Sequence, residues 1–124
     1  LLVDVATLTG TMLTALGKTY SGIYSTSCKR WDEFNNAANE AHEKVWRMPL
    51  HEAFHKPNKL SLVADLNNYS TTEKSDCNTA AMFLKEFTNN VDYIHCDVAG
   101  TADKNGMGLG ILVSTLVELA KRQN

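Results

Sequence analysis

Apolar residues fall into short blocks along the chain, and the spacing within each block separates strand from helix. Residues 1 to 8, LLVDVATL, form a near-continuous apolar run broken by Asp4, the pattern of a strand covered on both faces. Gly10 follows as a turn or a place of close backbone approach. TMLTALG, 11 to 17, fits either a second short strand or a helical turn. GIYST, 22 to 26, predicts a strand, because Ile and Tyr suit a pleated, half-buried surface. From 29 to 46 the period changes. Trp31, Phe34, Ala38, Ala41 and Val45 recur at steps of three and four and predict one apolar helical stripe, stopped by Pro49.

Residues 51 to 56 predict a short helix before Pro57, and 60 to 70 a short strand entering an Asn-rich turn. Residues 71 to 78 read as a polar loop, with Asn78 or Thr79 as N-cap of a helix over 79 to 88. Residues 92 to 100 predict a strand ending at Asp97, Ala99 and Gly100. KNGMGLG is a glycine loop, and 111 to 122 a last helix whose Lys121 and Arg122 suit the dipole. The order strand, strand, helix, strand, helix, strand, helix predicts an α/β fold, a largely buried sheet flanked by helices in a single domain over 1–124.

Composition narrows the function classes. Hydrophobic residues are 44%, charged residues 21% and the net charge is −2, which gives no basic face for nucleic acid or an anionic membrane. No apolar run approaches the ~20 residues of a membrane span. Cys28, Cys77 and Cys96 lack C-x-x-C spacing. That predicts reduced thiols in the cytoplasm, no structural disulfide and no cysteine-built zinc site, with Cys96 in the core. The chain opens inside an apolar run, as expected for a piece of a longer polypeptide. Trp31 and Trp46 read as core or interface anchors.

Three aspartates, Asp4, Asp65 and Asp97, stand at or near strand ends, where α/β sheets place their ligands. Converging carboxylates can hold a divalent cation there, with His95 on the same face of its strand as Asp97. Alternatively, each accepts hydrogen bonds from the backbone of the following turn. His51, Glu52 and His55 spell HEAFH, which matches the helical zinc motif H-E-x-x-H of metalloproteases. On an α-helix both imidazoles would share a face and Glu52 would activate water. The flanking Pro49 and Pro57 leave little room for that helix, and no third ligand occurs at a familiar spacing. GMGLG lacks the residues of a phosphate loop, and no G-x-S-x-G elbow occurs.

Five collinear stretches carry more information than any one of them. VDVATLTGTMLTALG (3 to 17), VWRMPL (45 to 50), ADLNN (64 to 68), TAAMFLKEF (79 to 87) and IHCDVAGTA (94 to 102) together resemble the C-terminal part of the leucyl aminopeptidase (M17) family of two-metal exopeptidases. The resemblance covers nearly the whole chain. It implies a central mixed sheet that is part of a larger aminopeptidase catalytic domain, and an enzyme removing N-terminal, preferably apolar, residues from peptides. It implies two divalent metal ions, zinc or manganese, in the full-length enzyme, with their ligands and the catalytic lysine and arginine upstream of these residues. This segment alone would then be inactive, with no catalytic residue and no bound metal. It also implies a peptide substrate and a homo-oligomer, a hexamer in the family.

By the same resemblance the substrate-binding residues are Thr7, Leu8, Gly10, Tyr69, Ala99 and Ala102. Leu8 would offer its carbonyl and Gly10 its N–H to the peptide. Thr7, Ala99 and Ala102 would wall the pocket for the first side chain, and Tyr69 would border the pocket for the second. Neither the three aspartates nor HEAFH matches a ligand position. SDCN at 75 to 78 and Ser114 depart from the family pattern, which bears on substrate preference and subunit contacts. Two rivals stand beside this reading: a non-catalytic assembly module, and a self-contained zinc hydrolase built on His51, Glu52 and His55.

Overall fold

The computed structural model describes residues 1–72 and 74–123. Strand β1, Leu2–Ala6, leads into helix α1, Gly10–Leu16, then β2, Ser21–Ser25, and α2, Cys28–Glu40. β3, Val45–Arg47, precedes a 3₁₀ helix, Glu52–Lys59, and α3, Asp76–Lys85. β4, Tyr93–Asp97, a hairpin of β5, Asp103–Lys104, and β6, Met107–Gly108, and α4, Val113–Lys121, complete the order.

The main sheet has the order β1-β4-β2-β3. β1 runs parallel to β4 and β2 parallel to β3, while β2 and β4 are antiparallel, so the sheet is mixed. Successive side chains point to opposite faces. Ile23, Ile94 and Cys96 meet Phe34, Ala37, Ala38, Leu112 and Leu119 of the α2 and α4 layer on one side. Tyr24 meets Met12, Cys77 and Ala81 of α1 and α3 on the other. β2 and β4 are buried along their whole length, whereas β1, expected to be covered on both faces, ends the strand order among the described residues and leaves Leu2 and Val5 exposed.

Several boundaries differ from the sequence reading, each for a local reason. Helix α2 stops at Glu40 rather than 46. His42 takes a left-handed backbone, φ 56°, and its N–H and that of Glu43 donate to Asn39 and Ala38 carbonyls. That is the closing motif usually made with glycine. Val45, expected on the helical stripe, is instead in β3. Residues 60 to 70 form no strand. Ser61 Oγ accepts from Val63 and Ala64 N–H, and Asn67 N–H donates to Asn58 carbonyl, so turns satisfy the backbone and leave Leu62 and Val63 exposed. Residues 11 to 17 are helical, and α3 begins at Asp76, ahead of the expected cap. Asn78 does not cap it; its side chain accepts from Tyr24 Oη at 2.6 Å.

The α4 N-terminus is held from outside. Leu112 caps it in a left-handed conformation without a side-chain bond. The Glu43 carboxylate accepts from Leu112 N–H, Thr115 N–H and Thr115 Oγ1 at 2.7, 3.0 and 2.6 Å. No helix among the described residues is long and apolar enough to cross a membrane.

Candidate functional site

The parallel pair β1 and β4 brings Ala6 opposite Asp97 at the carboxyl ends of both strands. Beyond that end the two chains separate into a turn at 7 to 9 and a loop from 98. The Asp97 side chain, fully buried, ties them back together. Its Oδ1 accepts from Leu8 N–H at 3.2 Å and Ala99 N–H at 3.1 Å, and its Oδ2 from Thr9 Oγ1 at 2.6 Å. Val98 N–H donates to Ala6 carbonyl at 2.9 Å. A buried carboxylate without a cation is tolerated when donors surround it. Thr9 occupies the N-cap position of α1 but makes no capping bond, because its hydroxyl is committed to Asp97.

Gly10 opens α1, and a Cβ built there meets no atom within 4 Å. Among the described residues nothing requires glycine at this position. Gly100 is different: a Cβ there collides with the Gly17 carbonyl, which sets the loop after β4 directly on the end of α1.

A hollow of about 280 Å³ opens beside this junction, lined by Leu8, Gly10, Asn68, Tyr69, Asp76 and Ala80, with Thr9. Of the six residues expected to bind substrate, Leu8, Gly10 and Tyr69 line it together. Ala99 is joined to Leu8 through Asp97 and packs beside the Met12 and Tyr24 cluster. Ala102 packs against the opposite core, the one holding Ile23 and Phe34. Thr7 is exposed on the turn and lines none of this hollow. Asn68, Asp76 and Ala80 are lining residues that sequence reasoning missed. Asp76 lay in the segment read as a polar loop, and only its helical register turns it to the hollow.

The other candidates are accounted for differently. Asp4 accepts from Tyr93 Oη and lies 2.8 Å from His95 Nδ1; burial and the Asp4 contact push the Tyr93 phenol well above its usual range. Asp65 is exposed in the turns after the 3₁₀ helix. HEAFH lies on that 3₁₀ helix and its N-cap, not on an α-helix. At three residues per turn, positions four apart face different ways. His51 Nδ1 accepts from Ala53 N–H at 3.0 Å, and buried His55 sits 2.9 Å from both Asn58 Nδ2 and Glu86 Oε1. Among the described residues, no three His, Cys, Asp or Glu are grouped to hold a metal ion. Two wider hollows, about 390 and 460 Å³, share Ser25, Arg47, Leu50 and His51 and contain none of the six expected residues.

Residues 1–117 match the model of the cytosol aminopeptidase family, catalytic domain. The chain is 81% identical over 122 residues to a probable cytosol aminopeptidase of Metamycoplasma salivarium, covering 98% of this chain and 24% of that protein. It is 38% identical over 129 residues to the cytosol aminopeptidase of Dictyostelium discoideum, covering 98% of this chain and 25% of that one. A solved structure of a tomato leucine aminopeptidase mutant, K354E, superposes with a TM-score of 0.90 at 37% identity, over 97% of this chain and 24% of that chain. The chain thus spans about a quarter of the length of these relatives.

Proposed function

The chain belongs to the cytosol aminopeptidase family, and from that premise we propose that it is the substrate-gripping, C-terminal part of a metal-dependent exopeptidase that removes apolar N-terminal residues from peptides. The observation that carries the reading is the Asp97 bridge, which fixes the 7–10 turn and the loop at Ala99 in one arrangement at the carboxyl end of the sheet. Backbone groups can orient a peptide only if they are already held in place. In this reading the Leu8 carbonyl and the Gly10 N–H hold the peptide backbone, and a Cβ-free Gly10 lets the ligand come close. Thr7, Ala99 and Ala102 bound the first side chain, and Tyr69 the second. Burying a leucine-sized group against such walls stabilises binding by ~1.5–3 kcal/mol.

The zinc or manganese ions of this reading have no cluster to hold them among the described residues. Their ligands and the groups that break the bond belong to other parts of the catalytic domain, and this segment contributes no step of bond cleavage. The reading also carries a cytoplasmic, homo-oligomeric enzyme, a hexamer, with no nucleic-acid or membrane partner. The test is release of leucine from leucyl peptides, with manganese or zinc supplied, by the full-length protein and by residues 1–124 alone. Turnover by the full-length protein only is expected. Turnover by the 124 residues alone, or by neither, overturns the division of labour.

A further inference from the structure

We propose that Asp76 makes this site selective for peptides whose second residue is a cation, lysine or arginine. The inference rests on the aminopeptidase reading and adds a substrate class to it. The hollow of about 280 Å³ includes Tyr69, the residue assigned to the second side chain, and neither Ala99 nor Ala102, the walls assigned to the first. It is therefore the compartment for the side chain beyond the scissile bond. Among the described residues Asp76 is its one formally charged lining residue; Leu8, Thr9, Gly10, Asn68, Tyr69 and Ala80 carry no charge. The carboxylate is half-buried and makes no ion pair among the described residues. An incoming ammonium or guanidinium meets a carboxylate that no cationic side chain among the described lining residues offsets.

The remaining walls suit the same side chains. Leu8 and Ala80 offer apolar surface to a methylene stem, which long cationic residues bury while keeping the head group polar. Tyr69 is 65% exposed, so its ring is open to a cation at its face. The Asn68 side-chain carbonyl is a further acceptor type for a cationic head. Asp76 also stands in the first turn of α3, where a negative charge stabilises the helix. That role concerns folding and gives no preference between substrates, so a comparison of substrates separates the two.

The experiment measures kcat/KM of the full-length protein on two dipeptides with leucine first and either lysine or norleucine second, which differ by the ammonium group. The lysine peptide is expected to be favoured by a factor on the order of three to ten at low ionic strength. That factor should shrink as salt is added. Asp76→Asn should bring the ratio to about one, Asp76→Glu should retain the preference, and Asp76→Lys should turn it toward a glutamate second residue. A wild-type ratio near one at low salt overturns the proposal, as does a preference that survives in Asp76→Asn. If neither peptide is hydrolysed by the wild type, the aminopeptidase reading itself fails. If norleucine peptide is hydrolysed without a lysine preference, only the role of Asp76 fails.

Discussion

Asp97 shows how one side chain can set the geometry of two backbone segments. Removing its carboxylate takes the acceptor from a part-buried hydroxyl and two part-buried N–H groups, Thr9 Oγ1, Leu8 N and Ala99 N. Asp97→Ala should therefore cost about 3 kcal/mol in denaturant unfolding, and Asp97→Asn, which keeps an acceptor oxygen, distinctly less. Equal, small losses in both would remove the bridge from the account. The sequence places Asp97 at a strand end and offers two fates for it, metal ligand or turn acceptor. The Ala99 N–H donor, two residues on, is the turn-acceptor fate; what the pattern cannot supply is that the other two donors lie 88 and 89 positions away, just after β1. Asp76 is opaque for a related reason. The start of α3 depends on distant partners, with Cys77 N–H donating to Thr11 Oγ1 and Asn78 accepting from Tyr24.

At the level of elements, amphipathic spacing finds the helices but not their ends. The stripe through Ala41 and Val45 continues the 3.6 period by coincidence, while the chain turns out of the helix at His42. Glycine, the ordinary marker of that turn, is missing, and a histidine accepts the left-handed backbone instead. The short β3 was hidden inside the same stripe. α4 illustrates a start signal that is wholly tertiary: the carboxylate holding its N-terminal N–H groups is Glu43, about seventy residues earlier in the chain. Glu43→Ala should lower stability by about 2 kcal/mol and loosen α4 selectively. Hydrogen exchange at 113–121, compared with α2, reads the effect. Uniform loss across both helices would contradict it.

For the whole molecule, the fold class follows from alternating apolar blocks, because a sheet buried on both faces imposes that alternation. The strand order does not follow, since the antiparallel β2–β4 pairing inside a parallel frame leaves no local trace. Packing the sheet between two layers also buries acids. Burial pushes Tyr24, Tyr93 and Cys96 above their ordinary values, with Cys77 adding to Tyr24 and Asp4 to the other two. Unfolded, a thiol ionises near pH 8.5 and a phenol near 10. Above those values the unfolded chain binds fewer protons than the folded one, so stability falls as pH rises. Unfolding free energy should hold level up to about pH 8 and decline from about pH 9, with Cys96→Val delaying the onset. A level profile to pH 10.5 would contradict the buried, protonated state of these groups.

The central claim is that the backbone at the start of α1 meets a peptide. Gly10 tests it most directly, because an added Cβ touches nothing among the described residues. Alanine is a better helix former than glycine by about 1 kcal/mol. Gly10→Ala in the full-length protein should leave the thermal midpoint unchanged or raised, while KM for a leucyl peptide rises severalfold. Wild-type KM at an unchanged or higher midpoint would contradict the claim.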